Sequence, residues 1–140
     1  MATITNANLT LEHNHTRKTV RAKVTCNVNF SAIEMCQMKS CPEGRWFKLT
    51  CQLWGEDAGL EGWLGGGDDL LFTYPDVFYF PDQNPTTPES RTFDITLGEG
   101  VLNEDLFWWE QDGIYGLLTL VNLYTSVTAR GRTNTVKHHF

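Results

Sequence analysis

The side chains best suited to chemistry are the carboxylates of a glycine-rich stretch between residues 56 and 82. Seven acidic residues fall within it, and our candidate ligands among them are Asp57, Asp68, Asp69 and Asp82. Calcium takes roughly six to eight oxygen ligands, often from flexible loops, and Asp68 and Asp69 directly follow three glycines. The regular Asp-x-Asp-x-Asp spacing of an EF-hand is absent. The stretch therefore indicates either a calcium site or an acidic loop surrounded by water.

Tryptophans provide a second candidate site. Trp46 and Trp54 bracket a segment in which apolar and polar residues alternate, so both rings fall on the row that faces away from the core. Trp63 follows in the glycine-rich stretch. Exposed aromatic rings stack on sugars or form protein contacts. We therefore predict a binding surface of Trp46, Trp54 and Trp63 for a carbohydrate or a protein; the alternative is that neighbouring side chains cover these rings.

Motifs for nucleophilic catalysis or phosphate binding are missing from the sequence. It contains neither a Gly-x-Ser-x-Gly elbow nor a Walker loop. Glu104, Asp105 and Glu110 lie near two tryptophans, where a pair of carboxylates would suit glycoside hydrolysis, but no motif supports that chemistry. We therefore expect a non-enzymatic protein without a cofactor, with calcium as a possible bound ion, and keep a glycan hydrolase as an alternative.

Cysteines and histidines form only weak metal-binding patterns. The cysteines stand 10, 5 and 10 residues apart, unlike the closely spaced pairs of zinc sites. Cys26 and Cys51 fall on inward rows, so we expect buried thiols, with a bridge between them as the alternative. His13 and His15 share one side of an extended strand. They would need the C-terminal histidines nearby to hold a transition metal.

Charge is unevenly distributed along the chain, which has a net charge of −6. Residues 1–48 carry seven basic and three acidic side chains. Residues 49–112 carry one basic and fourteen acidic side chains, and residues 113–140 carry three basic and no acidic ones. Nucleic-acid binding requires clustered Lys and Arg, so no nucleic-acid partner is expected. The asymmetry indicates either an acidic face in water or a dipolar molecule that associates head to tail or gathers cations.

Alternation of apolar and polar residues predicts the secondary structure. It runs from Val20 to Phe30, over 47–53 and over 92–97, which indicates strands with one buried face. In residues 114–124, apolar side chains occur at both odd and even positions, as in a strand that is covered on both faces. Residues 31–40 could hold a short helix. Further predicted strands are Thr3–Glu12, Asp69–Tyr74, Val77–Phe80 and Thr133–His139, with a hairpin turn at Asp112-Gly113 that follows a strand over Leu106–Glu110.

These elements predict one all-β domain over residues 1–140, an antiparallel β-sandwich of about eight strands, immunoglobulin-like or C2-like. No run of 18 apolar residues is present, so we expect no membrane span. The first residues lack the pattern of a signal peptide, and we expect a cytoplasmic protein. The leading functional hypothesis is an interaction or structural module that contacts a protein partner or a second copy. A calcium- or carbohydrate-binding domain is the second.

Overall fold

The computed structural model describes residues 1–41, 46–56, 69–79, 86–102 and 112–138. Its elements are, in chain order, β1 (Thr3–Asn14), β2 (Thr19–Asn29), α1 (Ala32–Ser40), β3 (Phe47–Glu56), β4 (Asp69–Thr73), β5 (Val77–Tyr79), β6 (Glu89–Gly98), α2 (Glu99–Leu102), β7 (Asp112–Asn122), β8 (Thr128–Arg132) and β9 (Val136–His138).

Two antiparallel sheets make up the fold. The first has the strand order β1-β2-β6, and the second has the order β4-β3-β7-β8, with β5 also paired to β3 and β9 to β7. The predicted antiparallel sandwich of about eight strands is confirmed, with nine strands in the described residues. Its immunoglobulin-like or C2-like subtype stays a prediction.

The inward rows of β2 and β3 form the centre of the core. Buried and partly or fully exposed residues alternate along both strands, because successive side chains of a strand point to opposite faces. Cys26 and Cys51 occupy these inward rows and are buried free thiols. The hydroxyl of Tyr74 donates a hydrogen bond of 2.8 Å to the Ala22 carbonyl, which ties the segment after β4 to the opposite sheet.

One side of the sandwich is closed where β1 approaches β8 and β9. The amide of Asn134 accepts a hydrogen bond of 2.8 Å from the Leu9 N–H and donates one of 3.1 Å to the Leu9 carbonyl. Gly131 faces Ile4 so closely that a Cβ atom there would lie 2.8 Å from the Ile4 Cγ2. The side-chain amide of Asn134 therefore serves as the hydrogen-bonding partner that an edge strand otherwise lacks.

The predicted hairpin turn at Asp112-Gly113 is wrong. Both residues belong to β7, where they pair with His138 and Lys137 of β9, and Gly113 also faces Glu56 of β3. The strand predicted over residues 106–110 lies outside the described residues. The dipeptide favours a turn locally, but strands distant in sequence supply hydrogen-bonding partners and hold it extended.

The C-terminal prediction is also corrected. Thr133–His139 was expected to form one strand, whereas the structure has β8 before it and a shorter β9 within it. Thr133 lies between them, and its N–H donates to the Gly116 carbonyl while its hydroxyl accepts from the Gly116 N–H. This side-chain bond replaces regular strand pairing and separates the two strands.

Candidate functional site

The candidate calcium ligands are not assembled by the described residues. Asp69 begins β4 opposite Gly55, and Asp57, Asp68 and Asp82 lie outside the described residues. In the described part of the chain, no three His, Cys, Asp or Glu side chains come together in a way that could hold a metal ion. Calcium binding at Asp57, Asp68, Asp69 and Asp82 therefore stays a prediction.

Of the candidate tryptophans, Trp46 and Trp54 are described by the structure, and they lie at opposite ends of β3. Trp46 immediately precedes β3 and Trp54 lies near its end, eight residues and about 26 Å of extended chain away. The indole N–H of Trp54 donates to the Gln52 side chain at 3.1 Å, and that ring is half-buried. Trp63 lies outside the described residues. The structure thus separates Trp46, whose ring packs on the exposed Tyr124, from Trp54, which pairs with the exposed Leu70 of β4.

The hairpin between β7 and β8 places the groups around Trp46. The Asn122 side-chain oxygen accepts from the N–H groups of Tyr124 and Thr125, at 2.9 and 3.1 Å. The Asn122 N–H donates to the Val127 carbonyl. Ser126 has a φ of 63°, a left-handed conformation that reverses the chain. At the start of the turn, Asn is favoured at position 122 because its side chain can accept hydrogen bonds from backbone N–H groups two and three residues later.

This hairpin is joined to the start of β3. The Leu123 N–H donates to the Trp46 carbonyl at 2.9 Å, and the Tyr124 and Trp46 rings lie 4.6 Å apart between centroids. The Trp46 indole N–H in turn donates to the Cys41 carbonyl at 3.2 Å. The Tyr124 ring is therefore held against an anchored tryptophan although it is 61% exposed.

The short helix α1 forms a second wall beside the hairpin. Ser31 and Glu34 form a capping box, in which each side chain accepts from the backbone N–H of the other residue. Such a box satisfies N–H groups that a helix start leaves unpaired. Glu34 also accepts from the Ala2 N–H at 3.1 Å, which fixes the start of β1 to the helix. The prediction of a short helix within 31–40 is confirmed.

An apolar cleft of about 330 Å³ lies between α1 and the hairpin. Ile33 and Gln37 of the helix line one side, Thr125, Val127 and Ala129 line the other, and Phe47 and Leu120 contribute from the core strands. Glu34 is the one ionisable side chain among the lining residues. Its carboxylate accepts from the Ser31 and Ala2 N–H groups and lies 3.7 Å from the N-terminal ammonium of Met1, which also lines the cleft.

Exposed apolar side chains concentrate around this cleft. Among the described residues, six large apolar side chains are exposed, and Leu70 is the one that lies elsewhere, on β4. The other five surround the cleft or lie on the hairpin beside it. We name them the end patch: Met1, Ile33, Leu123, Tyr124 and Val127. The Trp46 ring packs against the Tyr124 ring of the end patch.

The remaining chemically suggestive side chains have structural surroundings. His13 Nε2 lies 2.9 Å from a Glu99 carboxylate oxygen, and the His15 ring lies 4.0 Å from the His13 ring. Burial raises the pKa of the Cys26 thiol to about 11 and raises the pKa of the Cys51 thiol further. Both thiols therefore stay protonated near neutral pH and are poor nucleophiles.

Sequence patterns missed most of the end patch. The apolar run of β7 was expected to continue through Leu123 and Tyr124, but β7 ends at Asn122. Its end could have been inferred from Asn122 and the Thr-Ser pair that follows, which favour a turn. For Ile33, no periodicity in the helix indicated which residues face water.

Comparison with known proteins gave no relative: no family model, curated protein or solved structure matches this chain. Neither helix among the described residues has the length and apolar character needed to cross a membrane. The fold belongs to the class of antiparallel β-sandwiches. A function for this protein must therefore be argued from the side chains on its surface.

Proposed function

We propose that this chain is a non-enzymatic protein-interaction module whose contact surface is the end patch. The observation that carries the proposal is that five of the six large exposed apolar side chains in the described residues gather at one end of the sandwich. Scattered exposed apolar residues are ordinary, whereas a contiguous group is typical of a binding surface. Covering it removes apolar surface from water, which supplies the driving force for association.

The local structure of the end patch suits this role. The Asn122 turn holds the hairpin and the Ser31–Glu34 capping box holds the start of α1, so both walls of the cleft are fixed before any partner arrives. A preorganised surface loses little conformational entropy on binding. The Tyr124 ring, which packs on Trp46, is of a residue type that is enriched among the side chains contributing most to binding energy at interfaces.

Affinity capture with matched variants tests the proposal. The immobilised chain is compared with Tyr124→Ser and Ile33→Ser, and with Leu70→Ser, which removes an exposed apolar side chain outside the end patch. We expect a protein, a second copy included, that the wild type and Leu70→Ser retain and both patch variants lose. With purified components, Tyr124→Ser should weaken binding by about 30-fold, the effect of a typical interface hot spot near 2 kcal/mol.

The result that contradicts the proposal is equally specific. If every protein retained by the wild type, including the chain itself, is retained equally by Tyr124→Ser and Ile33→Ser, the end patch is not a contact surface. Both substituted side chains are mainly exposed, so the core is unaffected and circular dichroism and thermal unfolding should match those of the wild type.

A further inference from the structure

Two contacts across the core fix how the inward rows of β2 and β3 are aligned. At one end, Val24 of β2 lies against Gly116 of β7, and Gly116 pairs with Leu53 of β3. At the other end, the rings of Phe30 and Phe47 lie 5.0 Å apart between centroids. The residue numbers rise along β2 and fall along β3 between these contacts, so the two rows face each other with their chains running in opposite directions.

This alignment places Cys26 opposite Cys51. The two contacts are six residues apart on each row, so the rows stay in step over the whole distance. Inward side chains recur at every second residue of a strand. The first inward position after Val24 is Cys26, and the first one before Leu53 is Cys51. The two cysteines therefore occupy matching positions on the two sheets.

The sheets approach each other closely beside these cysteines. Packed sheets usually lie about 10 Å apart, whereas a disulfide joins Cα atoms roughly 4.4–6.8 Å apart. Val24 Cγ2 lies 3.2 Å from the place that a Cβ atom on Gly116 would take. Since Cγ2 lies about 2.5 Å and Cβ about 1.5 Å from its own Cα, the two Cα atoms are at most about 7 Å apart. The missing side chain of Gly116 thus brings the sheets to disulfide distance one inward position away from the cysteines.

The electrostatics of the two thiols agree with this placement. Both are buried, and both are free in the structure. Burial raises the pKa of the Cys51 thiol, and the charge of the Cys26 thiolate raises that pKa further. A charge on one sulfur is thus felt at the other, as is the case for groups a short distance apart.

We infer that Cys26 and Cys51 form a modification site at which an oxidant joins the two sheets by a disulfide. The oxidant is a small disulfide such as glutathione disulfide. One cysteine thiolate attacks it and releases a glutathione, and the second cysteine thiolate attacks the resulting mixed disulfide and releases the other glutathione. The two cysteines lose two electrons and two protons, and the oxidant gains them as it becomes two glutathione molecules.

Burial decides when this step takes place. Cys51 is 0% exposed and Cys26 is 2% exposed, so the packed sheets keep an oxidant away from both sulfurs. Burial also raises the pKa of the Cys26 thiol to about 11, which leaves little thiolate to attack a disulfide. The bridge therefore forms while the chain is unfolded or opened, and folding then encloses it. A chain that folds without an oxidant keeps both thiols.

Refolding in glutathione buffers tests this inference. The exposed Cys36 and Cys41 are replaced by serine, and the unfolded chain is refolded with glutathione and its disulfide, or with glutathione alone. We expect the first preparation to lack free thiols and to yield tryptic peptides linked through positions 26 and 51. Because the bridge closes a loop over residues 27–50, its Tm should be about 10 °C higher than that of the reduced form.

A redox equilibrium measures whether the fold favours the bridge. The ratio of bridged to reduced chain is determined after acid quenching, at fixed concentrations of glutathione and its disulfide, in buffer and in concentrated urea. A bridge that stabilises the fold is stabilised by the fold to the same extent. The ratio should therefore be on the order of 100-fold higher in buffer than in urea.

A matched control moves one thiol to the next inward position of β2. In Cys26→Val combined with Val28→Cys, the composition is unchanged, but the cysteines are about 7 Å out of step along the strand. We expect the oxidised form of this variant to melt no higher than its reduced form. The comparison is made within the variant, so any stability lost through the substitutions themselves does not enter it. The buffer-to-urea ratio of the original pair is independent of this variant.

Three results would overturn the inference. If the bridged chain melts at or below the reduced chain, or if the bridged fraction is no higher in buffer than in urea, the two sulfurs do not meet in the fold. Oxidation of the folded, reduced chain as fast as that of the unfolded chain would overturn the order of events. None of these results bears on the end patch, because both cysteines lie in the core.

Discussion

Replacing Asn122 by alanine should loosen the hairpin that carries Leu123 and Tyr124. The Asn122 side-chain oxygen accepts two hydrogen bonds, from the N–H groups of Tyr124 and Thr125. Alanine cannot accept either bond, whereas the backbone bond from the Asn122 N–H to the Val127 carbonyl is retained. We therefore expect a local loosening of the turn and no loss of the sandwich.

The magnitude follows from these two bonds. A hydrogen bond inside a protein contributes about 1 kcal/mol net, and water can reach the exposed residues of this turn. Asn122→Ala should therefore lower the free energy of unfolding by about 1–2 kcal/mol. For a chain of this length, Tm should fall by roughly 3–8 °C.

Asn122→Asp is the matched control, since aspartate offers the same acceptor oxygen and suits the same turn. Urea unfolding followed by tryptophan fluorescence gives the change in stability. Amide hydrogen exchange gives its location, because the Tyr124 and Thr125 N–H groups should exchange about tenfold faster for each 1.4 kcal/mol lost locally. Binding of a partner to the end patch should also be weaker in Asn122→Ala, because the Tyr124 ring must then be ordered on binding.

The reasoning is refuted by a specific pattern of results. If Asn122→Ala unfolds within about 0.5 kcal/mol of the wild type, as an inert surface change would, and the Tyr124 and Thr125 amides keep their protection, the side chain does not organise the hairpin. Equal losses in Asn122→Ala and Asn122→Asp would show that the two acceptor bonds are not the cause.

Three further predictions concern the rest of the sandwich. Asn134→Ala should cost about 1–3 kcal/mol in urea unfolding, because it removes both bonds to the β1 backbone; an unchanged midpoint would contradict this. Gly131→Ala should destabilise the fold because its Cβ would lie 2.8 Å from Ile4, and Ile4→Ala should recover part of the loss in a double-mutant cycle. Burial raises the thiol pKa values of Cys26 and Cys51 in the folded protein, so these thiols ionise more readily once the chain unfolds. The free energy of unfolding should therefore fall as pH rises from about 8.5 towards 11. The fall should be less steep in Cys26→Ala, and equal slopes in the two proteins would contradict this assignment.

The strands were predictable where one face alone is buried. β2 and β3 show the alternation along almost their whole length, and Cys26 and Cys51 are buried as their positions in the pattern indicated. Asp112-Gly113 shows the limit of local patterns. Its turn propensity is a property of two residues, whereas its strand conformation depends on β3 and β9, which lie far away in sequence.

The candidate site was predictable only in part. Trp46 was correctly expected on the outward row beside β3, but no pattern indicated that Tyr124 would pack on it. The grouping of Trp46 with Trp54 and Trp63 stays a prediction, because outward residues of one strand share a face, yet Trp46 and Trp54 lie at opposite ends of β3. Their rings would need to be neighbours across strands to form one surface.

What the sequence by itself determined is which side chains of each strand face inward, because the alternation follows from the geometry of an extended backbone. The tertiary structure alone decided where apolar side chains stay exposed. Whether Ile33 or Tyr124 is covered depends on what packs across from it, and those neighbours come from α1, β3 and the hairpin after β7, elements that are brought together only when the two sheets form.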